Sequence, residues 1–402
     1  MHRVAITGQG TINCLGRTVP ETLKSMADGD CGITELDIER AERLSIRIAG
    51  QIKDLEPERE FSRQQLALYD RFTQFALIAA DEAVTQSGLV VEGELAARAG
   101  VVLGSGCGGI HSLDESFHSV YAIGKNRVHP FVIPRSMGNA AASHVSMKWN
   151  LKGPGFAVSS ACASSNHAMG QAFQMIRAGL STIVVTGGSE TMLCFGGVKG
   201  WEGLRIMSRD GCRPFCKTRN GMVLGEGAGV FVFEEFEHAS ARGADILAEV
   251  VGFAMTSDAS DIVLPDAEGA ARAMSGALED AGARPEDVGY INAHGTATRA
   301  NDKTECKAIR QVLGTHAENV MVSSTKSMHG HLIGGTGAVE LLACIAAVRD
   351  GMIAPTVGLV EPDPDCDLDV VPNESREGDV DVALNNAFAF GGLNAVLAIR
   401  SV

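Results

Sequence analysis

The 402-residue chain has no run of eighteen apolar residues, which excludes a segment that reads as a membrane-spanning helix. The segment from Met1 to Gly10 starts a strand directly, where a secretory leader would place a basic and then an apolar stretch, so a soluble cytoplasmic protein is expected. Basic residues are in deficit. The 34 Lys and Arg face 49 Asp and Glu, and the net charge of −15 opposes a broad phosphate-neutralising surface and hence a nucleic-acid partner. The ten cysteines lack the dense framework of a small secreted domain and are expected as reduced thiols. Cys212 and Cys216 are spaced C-x3-C, but no second pair follows at a zinc-binding spacing, and no metal is expected. Only 21% of residues are charged and 45% are hydrophobic, which excludes a disordered chain. Aromatics are few at 5% while glycines number 47, a balance that suits many tight turns between strands and helices.

Short β-branched runs alternate with helical patterns. The runs are Val4 to Thr7, Val101 to Leu103, Phe156 to Val158, Thr182 to Thr186, Val230 to Glu234, Ile291 to Ala293, Val320 to Ser323 and Val382 to Asn386. Between them, Phe72, Phe75, Ala79 and Ala83 recur at helical intervals, and His331 to Val348 is almost uncharged. This alternation predicts an α/β fold with helices covering both faces of its sheets. The length exceeds what one compact core usually holds, and no low-complexity linker interrupts it, so two halves packed face to face are expected.

An internal echo supports that division. Ser159-Ser160-Ala161-Cys162 and Ser323-Ser324-Thr325-Lys326 each follow a strand, and at the same offset of 164 residues His167 matches His331 and Gly170 matches Gly334. Val101 to Gly106 and Tyr290 to Gly295 form a second pair in the same order. Chance could produce one such pair; duplication accounts for both. The expected halves are 1–245, carrying Cys162, and 246–402, carrying the histidines His294 and His331.

Cys162 is the leading nucleophile candidate. It separates a strand from a helix of small residues, where unsatisfied N–H groups and the helix dipole favour a thiolate; the alternative is a buried structural cysteine. His294 opens Gly295-Thr296-Ala297-Thr298, and His331 lies five residues after Lys326. All four sit at the C-terminal ends of strands, the edge at which doubly wound sheets bind ligands. The glycine turn Phe390-Gly391-Gly392 can direct backbone N–H groups at an oxyanion. A phosphate site is disfavoured there, because no Gly-Lys-Ser/Thr follows.

At these residues the sequence resembles the elongating β-ketoacyl-acyl carrier protein synthases, the condensing enzymes of the thiolase superfamily. The resemblance is carried by Ser160-Ala161-Cys162-Ala163-Ser164, Asn292-Ala293-His294-Gly295-Thr296, Ser323 to Ser327 with Gly330-His331, and Gly225-Glu226-Gly227-Ala228-Gly229. Glu361 to Asp369 and Asn386-Ala387-Phe388-Ala389 look most like the rhizobial nodulation branch. It implies a duplicated thiolase-like fold, layered α-β-α-β-α with two mixed sheets. The implied reaction is a decarboxylative Claisen condensation of an acyl group on Cys162 with a malonyl carrier, with no cofactor beyond the phosphopantetheine of the acyl carrier protein.

The resemblance also assigns roles. His294 and His331 would stabilise an enolate, and Lys326 would hold their charge and orientation. The amides of Cys162 and Phe390 would form an oxyanion hole, with Phe390 as gate. Thr296 and Thr298 would line the pantetheine channel, and Glu305, Gly391 and Gly392 would play supporting roles. Cys107 would lie along the acyl pocket or merely pack between glycines. Carrier docking would fall to Arg63, Lys125, Arg127 and Arg205. Val263 replaces a common hydroxyl, Arg299 a proline and His329 a threonine, and Ala389 and Leu393 alter the gating turn. A homodimer is implied, or a heterodimer with a related subunit; a chain-length partner subunit and a degradative thiolase are the alternatives. Cys162 argues against the first, and the cysteine-free Phe390-Gly391-Gly392 turn against the second.

Overall fold

Apolar runs, most of them buried on both faces, form the ten principal strands of the computed structural model, which describes residues 1–53 and 55–402. They are β1 (Val4–Asn13), β2 (Ala99–Gly104), β3 (Gly155–Val158), β4 (Ile183–Thr191), β5 (Glu226–Glu235), β6 (Ala248–Ser257), β7 (Val288–Asn292), β8 (Met321–Ser323), β9 (Val382–Ala389) and β10 (Leu393–Arg400). The helices that matter most are α1 (Arg71–Ser87), α2 (Ser164–Arg177), α3 (Phe195–Gly203), α4 (Ala267–Ala281), α5 (Arg299–Leu313) and α6 (Thr336–Asp350).

The strand order is β8-β7-β9-β10-β6-β1-β5-β4-β2-β3. Read outward from the β6/β1 boundary, each set of five repeats one pattern: the first strand lies beside the fifth, then the fourth, second and third. The pairings repeat as well. β2 is parallel to β3 and β4, and β7 is parallel to β8 and β9, while the remaining pairs within each set are antiparallel. The two sets are not separate sheets as expected. Val4, Ala5 and Ile6 pair with Val250, Glu249 and Ala248, joining the sets into one continuous ten-stranded order at this short seam.

Alternation along the strands sorts side chains into layers. Val102, Val184, Phe231 and Phe233 point inward with Tyr290, Ala383 and Leu397 onto a central pair of helices, α2 and α6. Their neighbours Val101, Leu103, Val185 and Val232 face α1 on one outer side. Ile291, Val322, Leu384 and Val396 face α4 and α5 on the other. The result is the expected α-β-α-β-α layering. Gly104 shows how closely the layers approach, because a Cβ there would lie 2.4 Å from the backbone carbon of Ser164 at the start of α2.

The structure re-registers the internal echo. α2 begins at Ser164 and α6 at Thr336, an offset of 172, not 164. The strand-to-helix connection is 159–163 in the first set and 324–335 in the second. Each ends in a 3-10 turn opened by a left-handed non-glycine residue, Ala161 at φ 49° and Ile333 at φ 48°. The positional counterpart of Cys162 is therefore Gly334. His167 lies inside α2 while His331 precedes α6, so the histidine match was coincidental.

Candidate active site

Cys162 sits in the 3-10 turn Ala161–Ala163, immediately ahead of α2. The turn is fixed locally: the Ser164 hydroxyl accepts from the Ser160 N–H (2.9 Å) and donates to the Ala161 carbonyl (2.7 Å). The strained Ala161 turns the cysteine into a cavity of about 170 Å³. Residues from both strand sets line this cavity: Cys162, Trp201 and Met222 from the first, His294, Thr296, Thr298, His331, Phe388 and Phe390 from the second. Its lip is Val263-Leu264-Pro265.

Three atoms converge on its floor. The Cys162 sulfur and one ring nitrogen each from His294 and His331 all lie within 4.8 Å of one another. The two imidazoles meet edge to face, with centroids 5.5 Å apart. His331 Nδ1 shares a 2.8 Å hydrogen bond with the Thr336 hydroxyl at the start of α6, while its buried Nε2 has no protein partner. Glu305 on α5 holds the backbone of the other histidine, accepting from the His294 and Gly295 N–H groups at 2.7 Å each. Burial, followed by the charge of Lys326, holds both histidines well below the ordinary imidazole range, so both are neutral.

The thiolate expectation is corrected. Burial pushes the Cys162 thiol up to about 12, and this outweighs the opposing influence of Lys326 and of hydrogen bonds from the Phe390 and Cys162 amides. The resting sulfur is a thiol. Those two amides both face the sulfur.

Lys326 is wholly buried behind this floor, where it donates to Glu340 Oε1 at 2.5 Å. Glu340 is the only charged side chain of α6 before its last turn, a buried carboxylate that the sequence reading missed. The signal was there: a lone carboxylate in an apolar helix needs a buried cation. Thr296 and Thr298 share a 3.0 Å hydroxyl contact on the cavity wall, and Thr298 also caps α5. Phe390 stacks on Trp201 of α3, with centroids 6.0 Å apart and planes 26° from parallel. Trp201 was another missed wall residue. Gly391 and Gly392 take φ of 84° and 66° and bind the neighbouring loop: Gly391 N–H donates to the Ile262 carbonyl, and the Asp258 N–H donates to the Gly392 carbonyl, each at 2.9 Å.

Cys107 is not brought to the cavity. It is exposed, and its amide faces Glu190, which also accepts from the Ser105 hydroxyl and the Gly106 and Gly334 N–H groups. Arg63, Lys125, Arg127 and Arg205 are all exposed. Arg205 lines an open groove with Lys199 and Arg209, beside Ile206 on the cavity wall, whereas Lys125 and Arg127 lie in a separate segment with exposed Tyr121, Ile123 and Val128. Among the described residues, no helix is long and apolar enough to cross a membrane.

Residues 1–239 match the sequence pattern of the β-ketoacyl synthase N-terminal domain, and residues 247–360 that of the C-terminal domain. The chain is 46% identical to nodulation protein E of Rhizobium sp. (strain N33), over 100% of both chains. It is 40% identical to 3-oxoacyl-[acyl-carrier-protein] synthase 2 of Staphylococcus aureus (strain N315), over 99% of this chain and 98% of that one. The solved ishigamide ketosynthase/chain length factor superposes with a TM-score of 0.95 at 35% identity, covering 100% of this chain and 99% of that chain. With the thiolase-like layers, the cysteine and two histidines in one cavity, and these full-length matches, the chain belongs to the β-ketoacyl synthase family and is an acyl-transferring condensing enzyme of chain elongation.

Proposed function

We propose that Cys162, His294 and His331 carry out the condensation, with acyl carrier protein delivering both substrates. The observation that carries this reading is the convergence of one thiol and two neutral imidazoles, one with an unpartnered nitrogen, on the floor of an apolar cavity. In the first half-reaction the Cys162 sulfur attacks the acyl thioester, the carbonyl-to-pantetheine C–S bond breaks, and the thiol proton ends on the departing pantetheine sulfur. The Cys162 and Phe390 amides stabilise the tetrahedral oxyanion.

In the second half-reaction a malonyl thioester loses carbon dioxide, and the enolate oxygen is held by hydrogen bonds from His294 and His331. With the Thr336 hydroxyl donating to Nδ1, His331 presents a protonated Nε2 to that oxygen. The enolate carbon attacks the acyl carbonyl, a C–C bond forms, and the bond to Cys162 breaks to release the β-ketoacyl product and a thiolate, which takes a proton from solvent to restore the resting thiol. Lys326 and Glu340 set the potential around these atoms without touching substrate. Thr296 and Thr298 serve the pantetheine channel, and the functional halves are 1–245 and 246–402.

Carrier docking is assigned to the exposed basic residues, with Arg205 favoured by its place beside the cavity. A cytoplasmic homodimer fits best. The edge strand β3 is half exposed, and Phe117, Tyr121, Ile123, Phe131 and Ile133 are exposed nearby in the chain, an apolar surface that a second copy would cover. A heterodimer is the second reading, favoured by the paired ketosynthase and chain length factor named for the ishigamide protein. Mass measurement of the protein expressed alone separates the two.

The reaction is tested by mass spectrometry of the purified protein with acyl and malonyl carrier. An acyl adduct on the Cys162 peptide and a β-ketoacyl carrier product are expected. Product formation by Cys162→Ala at the wild-type rate would sink the assignment. Cys162→Gln, which mimics the acylated side chain, is expected to decarboxylate malonyl carrier without condensing it.

A further inference from the structure

Two thiols outside the cavity are built onto the back of the segment that carries Lys326 and His331. Its short helix, Lys326–His329, leaves carbonyls that a longer helix would satisfy internally. Residues 14 and 31–32 take them over. The Cys31 thiol donates to the Ser327 carbonyl (3.6 Å), the Gly32 N–H donates to the Met328 carbonyl (2.9 Å), and the Cys14 thiol donates to the His329 carbonyl (3.7 Å). Three consecutive carbonyls are thus held by one pair of strands of chain, two of them through sulfur.

The two cysteines are also neighbours. A Cβ on Gly32 would lie 2.6 Å from the Cys14 sulfur and 2.9 Å from the Cys14 carbonyl oxygen, so residue 14 runs directly beside residues 31 and 32. Cys31 is exposed and Cys14 half-buried. One thiol is open to a reagent, and the other stands behind it.

We propose that Cys31 and Cys14 form a thiol-modification site that exchanges with low-molecular-weight disulfides, closes to an internal disulfide, and thereby lowers condensing activity. The Cys31 thiolate attacks one sulfur of the reagent disulfide; that S–S bond breaks, a mixed disulfide forms on Cys31, and one reagent thiolate leaves. The Cys14 thiolate then attacks the Cys31 sulfur, forming the Cys14–Cys31 bond and expelling the second reagent thiolate. The two released thiolates take up the protons lost by the two cysteines. The protein is oxidised by two electrons and the reagent reduced to two thiols. Burial, then the neighbouring Cys31, holds Cys14 in its thiol form, which makes the second exchange the slower one. Closure removes both S–H donors, so the Ser327 and His329 carbonyls lose their partners and the Lys326 to His331 segment loosens.

The test exposes the full-length protein to oxidised glutathione, blocks free thiols, and digests with trypsin, for which Arg17 and Lys24 lie between the two cysteines. A linked peptide pair and a roughly tenfold loss of condensing rate, both reversed by dithiothreitol, are expected. Cys14→Ser is expected to stop at glutathione on Cys31, and Cys31→Ser to keep its activity under the same exposure. Absence of the linked pair overturns the site. A linked pair with unchanged activity overturns its coupling to catalysis. Equal inactivation of Cys31→Ser assigns the loss to another thiol such as Cys162 and overturns the proposal likewise. The activity arm rests on the reaction proposed above, whereas the cross-link does not, so the two fail distinguishably.

Discussion

Replacing Lys326 by methionine removes the ammonium that faces Cys162, His294 and His331 while keeping most of the side chain's length. The structure sets the magnitude. Lys326 and Glu340 are 0% and 1% exposed and 2.5 Å apart, and breaking such a buried pair from one side costs about 3–5 kcal/mol. Glu340 can soften that loss by taking a proton. Burial already holds its carboxyl up at about 7 even with Lys326 present, and removal of the cation raises it further. A carboxyl raised on folding contributes stability that is complete below its unfolded value, about 4.3, and lost as pH rises through its folded value. Wild-type Glu340 has largely finished this titration near pH 7. In Lys326→Met it continues above 7, so the variant's stability deficit should widen with pH, by up to about 1.4 kcal/mol per unit. Denaturant unfolding at several pH values measures the deficit, and haloacetamide labelling of the Cys162 peptide reads the active site in the same samples. Labelling should slow, because Lys326 is the largest influence opposing burial at Cys162. A deficit that stays constant with pH, together with an unchanged labelling profile, would refute the electrostatic reasoning.

Three further outcomes are expected. Burial holds Glu190 up at about 7, so this group should remove about 3 kcal/mol of stability as pH rises from about 4.5 to 7; Glu190→Gln should flatten that slope in melts, at a lower stability overall because an amide NH2 must face N–H donors. Replacing His294 or His331 by alanine should abolish malonyl decarboxylation and leave self-acylation of Cys162 partly intact; a variant that decarboxylates normally but cannot acylate would reverse the roles. Arg205→Glu should raise the apparent KM for carrier-bound substrate and weaken its salt dependence, with little change for a short pantetheine thioester, and equal losses on both would argue against docking.

The strands that sequence reading located are those with β-branched runs. It did not locate β6 or β10. Leu393 to Arg400 is buried along nearly its whole length and rich in Ala and Leu, so it lacks the period-two signal of a half-exposed strand and reads equally as helix. The proposed reacting groups were legible because each lies in a short motif after a strand. Their supports Thr336, Glu190 and Trp201 were not, since they reach the site from other elements and only tertiary packing brings them there, whereas Glu340 left a trace as a lone carboxylate in an apolar helix. The ionisation of Cys162 was misjudged for a related reason. A turn ahead of a helix is visible in sequence, whereas the apolar layers that desolvate it are contributed by both strand sets.

The unequal connections explain how a repeated architecture yields one site instead of two. In the first set, the short link 159–163 places Cys162 at the second position of the turn before α2. The same position before α6 is Gly334, and a Cβ there would lie 2.3 Å from the Gly106 nitrogen, so no thiol can stand at the symmetry-related point. The longer link 324–335 instead carries Lys326 and His331, and His294 follows the second strand of the same set. One half thus provides the sulfur, and the other provides the imidazoles together with an ammonium buried beside them. Because Lys326 lowers the thiol and both imidazoles alike, it favours sulfur that can ionise on demand and histidines that stay neutral donors. A condensing site needs both conditions at once, and a single buried cation shared across the interface between the halves supplies them.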